Sequence, residues 1–350
     1  MNIKQTFAFF TLGLTLAGCA SAVADNYNVT LDLPGLEDGL KAYITDYDTG
    51  NNLDSTIVEN NKAVFAGHVD DPVMARIIVD GQRASEFILE PGTIVCSVRG
   101  AATGTPLNET LGKAGEEMKA LVDEYNALPE GPESEARAAE IIAAYEAIPG
   151  KYMNANLDNP VGYYFFVNQA YDWNLDELRE QMKRYPQWAE KEKVKNREQA
   201  LVTEAETGEG KQYKDFAIDF EGQTQRLSDY VGKDGNYTLV DFWASWCGPC
   251  MRELSTIKAL YDKYNGKGLN VVGVAVWDEP VNSINTVQAK QLPWHQIFNA
   301  QSIPTDLYGI SGIPCILLID PSGKIVSRGK QGEDLTADVD KYLSTWTAPE

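Results

Sequence analysis

Histidine is scarce in this 350-residue chain, which has only His68 and His295. Cysteine is scarce too, at five residues: Cys19, Cys96, Cys247, Cys250 and Cys315. A structural zinc site takes four ligands, usually at short paired spacings. Cys247 and Cys250 have such a spacing, but none of the other cysteines or the histidines is paired to complete a set. No metal is therefore expected, and no cofactor is expected either. Basic residues are few, 30 Lys and Arg against 51 Asp and Glu, for a formal net charge of −21. That balance argues against nucleic acid and against a polybasic membrane patch. A membrane-spanning run is also missing: the apolar stretch from Phe7 to Leu16 is well short of the ~20 residues a spanning helix needs.

What is present centres on Trp246-Cys247-Gly248-Pro249-Cys250. Before it, Tyr237 to Ala244 is β-branched and aromatic, as expected of a buried strand. After it, Leu254, Ile257, Leu260, Tyr261 and Tyr264 recur three or four apart, as on one helix face. Strand, turn, two cysteines and helix put Cys247 at a helix N-terminus. Unpaired amide N–H groups and the positive end of the helix dipole there favour thiolate over thiol. Cysteines so placed have pKa values lowered from ~8.5 to roughly 3.5–7.5, and the thiolate is the attacking species in disulfide exchange. Pro249 suits the first helical turn, where its missing N–H costs nothing. These features favour a dithiol–disulfide redox centre over half of a zinc site.

The eleven residues Val240-Asp241-Phe242-Trp243-Ala244-Ser245-Trp246-Cys247-Gly248-Pro249-Cys250 resemble the active-site segment of thioredoxins. The resemblance continues from Asp215 to the end of the chain. Phe216 to Phe220 and Thr224 to Leu227 look like the hairpin that precedes the core in secreted members. Leu269 to Val276 reads as a central parallel strand, and Leu335 to Trp346 as the closing helix. Residues 278–300 are similar to the helical insertion of the TlpA/ResA-like family of exported thiol–disulfide oxidoreductases. By that resemblance Cys247 is the nucleophile and Cys250 the resolving thiol. Asp241 is a buried acid below the dithiol that takes the Cys250 proton. Pro314 matches the family's cis-proline, which frees the Ile313 backbone to pair with an extended substrate. Trp246, Gly248 and Pro249 complete the substrate-facing rim. Cys315 departs from the family pattern and reads as a small buried residue at a strand start, or as a third thiol near the first two.

The rest of the chain divides by composition. Leu16-Ala17-Gly18-Cys19 resembles a bacterial lipobox, which makes residues 1–18 a signal peptide and Cys19 a lipid attachment site. Ala22-Val23-Ala24 before Asp25 is the rival, an ordinary cleavage site giving a soluble periplasmic protein. Residues 25–100 hold six short apolar runs separated by turns, which predicts an antiparallel β-sandwich or barrel. They resemble an uncharacterised β-rich domain found ahead of thioredoxin-like lipoproteins, including the Glu90-Pro91-Gly92 segment. Residues 106–206 read as helical, with breaks expected at Pro129 to Pro132 and at Pro149-Gly150. The aromatic stretch Pro160 to Trp173 reads as a buried helix or a partner-binding one. Thr207 to Gly210 reads as a linker. Acidic residues outnumber basic ones by 33 to 16 over residues 19–208 and by 18 to 13 over 209–350, so the charge density changes at that point.

The fold class expected is therefore multidomain α+β: a β-rich domain at 25–100, a helical domain at 106–206 and a thioredoxin-like α/β domain at 209–350. The expected partners are protein disulfide substrates, an upstream thiol donor at the membrane, and the membrane itself through the lipid anchor. A Gly-Pro dipeptide between the cysteines occurs in reducing thioredoxins, with potentials near about −270 mV against about −120 mV for strong oxidants, and so favours a reductant. A disulfide oxidase or isomerase, or an assembly lipoprotein with an ancillary thioredoxin domain, stands as the alternative.

Overall fold

The computed structural model describes residues 24–97, 101–344 and 346–347. Cys19 and the export segment lie outside the described residues. The chain divides into two compact units, one ending at Tyr164 and the other beginning at Phe165.

In the first unit, seven strands form two sheets: β1 (Tyr27–Asp32), β2 (Lys41–Asp46), β3 (Asn52–Ile57), β4 (Lys62–Gly67), β5 (Val73–Val79), β6 (Gln82–Leu89) and β7 (Gly92–Ser97). The sheet orders are β4-β1-β7 and β3-β2-β5-β6. Period-2 alternation explains their faces: Tyr27, Val29 and Leu31 of β1 and Ala63 and Phe65 of β4 point into one shared core. One pairing departs from the antiparallel pattern, since β1 and β7 run parallel. Cys96 is fully buried in this core, and burial pushes its thiol up to about 11. That is the behaviour of an inert packing thiol.

Two helices follow, α1 (Pro106–Asn126) and α2 (Glu135–Ala155). The Glu90-Pro91-Gly92 segment here has a structural use. Glu90 Oε1 accepts from the backbone N–H of Leu107 (2.9 Å) and Asn108 (3.2 Å), pairing two otherwise orphaned donors at the start of α1. The expected break at Pro149-Gly150 does not occur, because α2 runs through Pro149 to Ala155. Ile148, Tyr152 and Met153 around it are buried, so packing outweighs the lost hydrogen bond.

Helix α3 (Pro160–Ala170) spans the division between the units, and α4 (Leu175–Arg184), α5 (Pro186–Ala189) and α6 (Glu192–Glu206) belong to the second. The aromatic stretch is buried: Phe166 packs its ring against Trp173, Tyr185 and Trp188. Thr207 to Gly210 is held in place and does not behave as a free linker. Thr207 is fully buried and donates to Tyr308 O, and Gly210 N–H donates to Ile325 O.

After the hairpin β8 (Ala217–Phe220) and β9 (Gln223–Arg226) come β10 (Tyr237–Trp243), α7 (Gly248–Tyr264), β11 (Leu269–Ala275), α8 (Pro280–Lys290), β12 (His295–Ile297), α9 (Ile303–Tyr308), β13 (Cys315–Ile319), β14 (Ile325–Arg328) and α10 (Gly332–Leu343). The sheet order is β12-β11-β10-β13-β14, with β10 central. It is parallel to β11 and antiparallel to β13, which gives six consecutive buried residues from Thr238 to Trp243. Leu239 on one face packs with Leu254, Ile257 and Leu260 of α7 and Leu335 and Val339 of α10. Val240 and Phe242 on the other pack with Tyr308 of α9. Helix α6 lies so close to α9 that a Cβ on Gly309 would come 2.1 Å from Ala200 O; with φ at +64°, only glycine fits there.

Candidate active site

The site forms where β10 ends and α7 begins. Buried β10 aims Asp241 and Trp243 at the α7 side, since residues two apart share a sheet face. Leu239 and Trp243, on either side of Asp241, both pack against α7 residues. Cys247 is the N-cap of α7, with Pro249 in its first turn, and forms a disulfide to Cys250. Cys250 N–H donates to Cys247 Sγ at 3.1 Å. That is the hydrogen bond a thiolate at this position accepts after reduction.

The Ile313–Pro314 peptide is cis, and Ile313 O lies 3.7 Å from Cys247 Sγ. The two segments, 66 residues apart in sequence, therefore meet at the Cys247 sulfur. Trp246 is 62% exposed, and its Nε1–H donates to Trp277 O. Gly248 is exposed, and a Cβ added there would come 3.7 Å from the Arg252 side chain. Cys247 is only 3% exposed in the disulfide form and Cys250 1%.

Asp241 is 1% exposed, and its Oδ1 has no hydrogen-bond partner. Desolvation, with a smaller contribution from the like charge of Glu253, pushes its carboxyl up to about 7. At neutral pH it therefore exchanges protons readily. Cys315 starts β13 opposite Phe242 and packs in the core on the sheet face away from α7. Burial pushes its thiol up to about 11, and the sheet separates it from the dithiol.

Two residues at this site escape sequence reasoning. Glu253, one helical turn after Cys250, is buried and accepts from Gly332 N–H at 2.9 Å. A charged residue three positions after Cys250, beside the apolar Leu254, was the available signal. Asp278 is buried and accepts from Ser245 N–H, Ser245 Oγ–H and Ser283 Oγ–H, which fixes the turn leading to Cys247. No local pattern marks it. Among the described residues no cluster of three or more His, Cys, Asp or Glu is arranged to hold a metal ion.

Residues 210–328 match the AhpC/TSA family, and residues 27–111 match a domain of unknown function, DUF4369. The chain is 29% identical over 139 residues to the thiol-disulfide oxidoreductase ResA of Bacillus thuringiensis, covering 39% of this chain and 78% of that protein. The C-terminal unit holds a thioredoxin-fold domain of the thiol–disulfide oxidoreductase kind. ResA of Bacillus subtilis is 28% identical over 119 residues, covering 34% of this chain and 65% of that protein. Among solved structures, the thioredoxin domain of a thiol-disulfide oxidoreductase from Bacteroides vulgatus is 28% identical, covering 39% of this chain and 98% of that one at a TM-score of 0.35. All three matches fall on about two-fifths of the chain or less. Within the thioredoxin-fold domain, the Cys247–Cys250 disulfide sits at the N-terminus of the helix that follows the central strand.

Proposed function

We propose that this protein is an exported thiol–disulfide oxidoreductase that reduces protein disulfides through Cys247 and Cys250. The observation that carries the reading is the Cys247–Cys250 disulfide at the start of α7, with Ile313 O beside the outer sulfur. In the reduced form, the Cys247 thiolate attacks a substrate disulfide. A Cys247–substrate bond forms and one substrate thiolate leaves. Cys250 passes its proton to Asp241 and attacks Cys247 Sγ, which releases the second substrate thiol and restores the internal disulfide. The backbone of Ile313 pairs with an extended substrate segment as an added strand, and exposed Trp246 with Gly248 and Pro249 forms the rim against which it lies.

The Gly-Pro dipeptide between the cysteines supports the reducing direction. The oxidised enzyme then needs an upstream thiol donor, which for an exported protein sits at the membrane. Cys19 carries the lipid anchor in this reading, and the cleaved chain stays on the periplasmic side. Metabolic labelling with palmitate should tag the wild type and leave Cys19→Ala unlabelled. An unlabelled wild type beginning at Asp25 would show ordinary secretion instead.

The function is tested with Cys250→Ala, which lacks the resolving sulfur. Expressed in cells, it should accumulate mixed disulfides between Cys247 and substrate cysteines, visible as adducts that reductant removes and mass spectrometry identifies. Absence of such adducts, with Cys247 reduced and intact, counts against protein substrates.

A further inference from the structure

Among the described residues, three buried side-chain atoms lack a hydrogen-bond partner, and two of them share one row across the sheet. Asp241 on β10 is in register with Gly273 on β11, and Gly273 with Gln296 on β12. The orphans are Asp241 Oδ1, an acceptor, and Gln296 Nε2, a donor. Gly273 stands between them without a side chain, and the Gln296 amide fills the space over it. A Cβ there would come 2.1 Å from Gln296 Oε1 and 2.8 Å from Nε2. Trp243 sets which way the amide faces. Its Nε1–H can only donate, and it donates to Gln296 Oε1 at 3.0 Å, so both N–H bonds of Nε2 are left over. Gln296 is itself 8% exposed. A buried donor without a partner costs about 1–3 kcal/mol, which a well-packed site does not keep without a use.

We propose that Gln296 is a positioning residue for disulfide exchange: aimed by Trp243 and housed over Gly273, its Nε2–H group supports the ionised form of Asp241 that receives the Cys250 proton. The inference rests on the proposed role of Asp241 as proton acceptor. The surroundings of Asp241 show why such support is needed. From helix α7 comes the like charge of Glu253, which α10 holds through Gly332 N–H, and Cys247 and Cys250 of α7 pack against Trp243 on the sheet face that Asp241 shares. Strand β13 offers Ile316 in register, and Cys315 beside it; β11 offers only Gly273. Only the Gln296 amide in that row brings an unused donor. It lowers the cost of ionising Asp241 without adding a charge, so the carboxyl stays near neutrality and can both take and return a proton.

The test follows the Asp241 carboxyl directly, by carbon-13 NMR titration of the oxidised full chain, beside single-turnover exchange rates from pH 5 to 9. In Gln296→Leu the Asp241 midpoint should rise by about one unit, and exchange at pH 7 should slow by up to about tenfold. Gln296→Glu keeps an acceptor for Trp243 Nε1–H but removes the donor, and should shift the midpoint the same way. Should Gln296→Leu not fold, Gln296→Met carries the same expectation. A purely structural role would lower the melting temperature and leave the midpoint and the pH–rate profile unmoved, which overturns the proposal. Asp241→Asn separates the two claims. If it slows exchange while the Gln296 variants do not, only the Gln296 role fails; if it leaves exchange unchanged, the Asp241 reading fails first.

Discussion

Asp241→Asn should stabilise the oxidised protein at pH 8 by up to roughly 4 kcal/mol and leave its stability at pH 4 nearly unchanged. The carboxyl is held near 7 in the folded state, against 3.8 as its ordinary value. Below about pH 4 it is protonated in both states and contributes no penalty. Between about 4 and 7 the unfolded chain has released the proton and the folded chain has not, so stability falls as pH rises. Above 7 the full penalty of a buried, ionised carboxylate applies. Asparagine keeps the shape and removes the ionisation, so the gain should appear through that window and level off above it. Urea melts of wild type and mutant from pH 4 to 8.5 check it. The same substitution should slow the release of substrate by about 10²-fold at pH 7, because Cys250 loses its proton acceptor. A mutant less stable than wild type at pH 8, with unchanged exchange, would make Asp241 a structural carboxylate.

Cys247→Ala should have the largest effect on activity, a loss on the order of 10³-fold or more. Several contributions are lost together. Cys247 is the N-cap of α7, accepts the Cys250 N–H bond, and lies against Ile313 O where a substrate strand would pair. Cys250, 1% exposed behind it, cannot reach a large protein disulfide without that relay. Cys315 cannot substitute, because it faces the opposite core and its thiol is held near 11, largely protonated at neutral pH. Alanine is small enough for the site, so the fold should be retained, with stability compared against the reduced wild type because the substitution also removes the disulfide.

The sequence makes the centre of the site readable because its signals are local. Tyr237 to Trp243 is a continuous apolar strand interrupted by one acid, and the cysteines, proline and helix periodicity follow within a few residues. The parts that resist reading depend on distant contacts. Gln296 sits in a three-residue strand whose meaning comes from Gly273 on the adjacent strand β11 and Trp243 one strand further, on β10. Asp278 matters through Ser245, 33 positions away. Pro149 reads as a breaker by propensity, yet the burial of Ile148, Tyr152 and Met153 carries α2 through it. Thr207 to Gly210 has the composition of a linker, but its backbone is bonded to β14. The parallel pairing of β1 with β7 joins strands with five others between them, and strand alternation alone contains no such information.

The central claim is that Cys247 attacks and Cys250 resolves. Single-turnover reduction of a disulfide-linked peptide pair, acid-quenched and mapped by mass spectrometry, tests it with reduced wild type, Cys250→Ala and Cys247→Ala. Wild type should give free peptide thiols and a Cys247–Cys250 disulfide, Cys250→Ala a peptide adduct on Cys247, and Cys247→Ala neither product. Turnover by Cys247→Ala, or an adduct carried on Cys250 or Cys315 in the wild type, would contradict it.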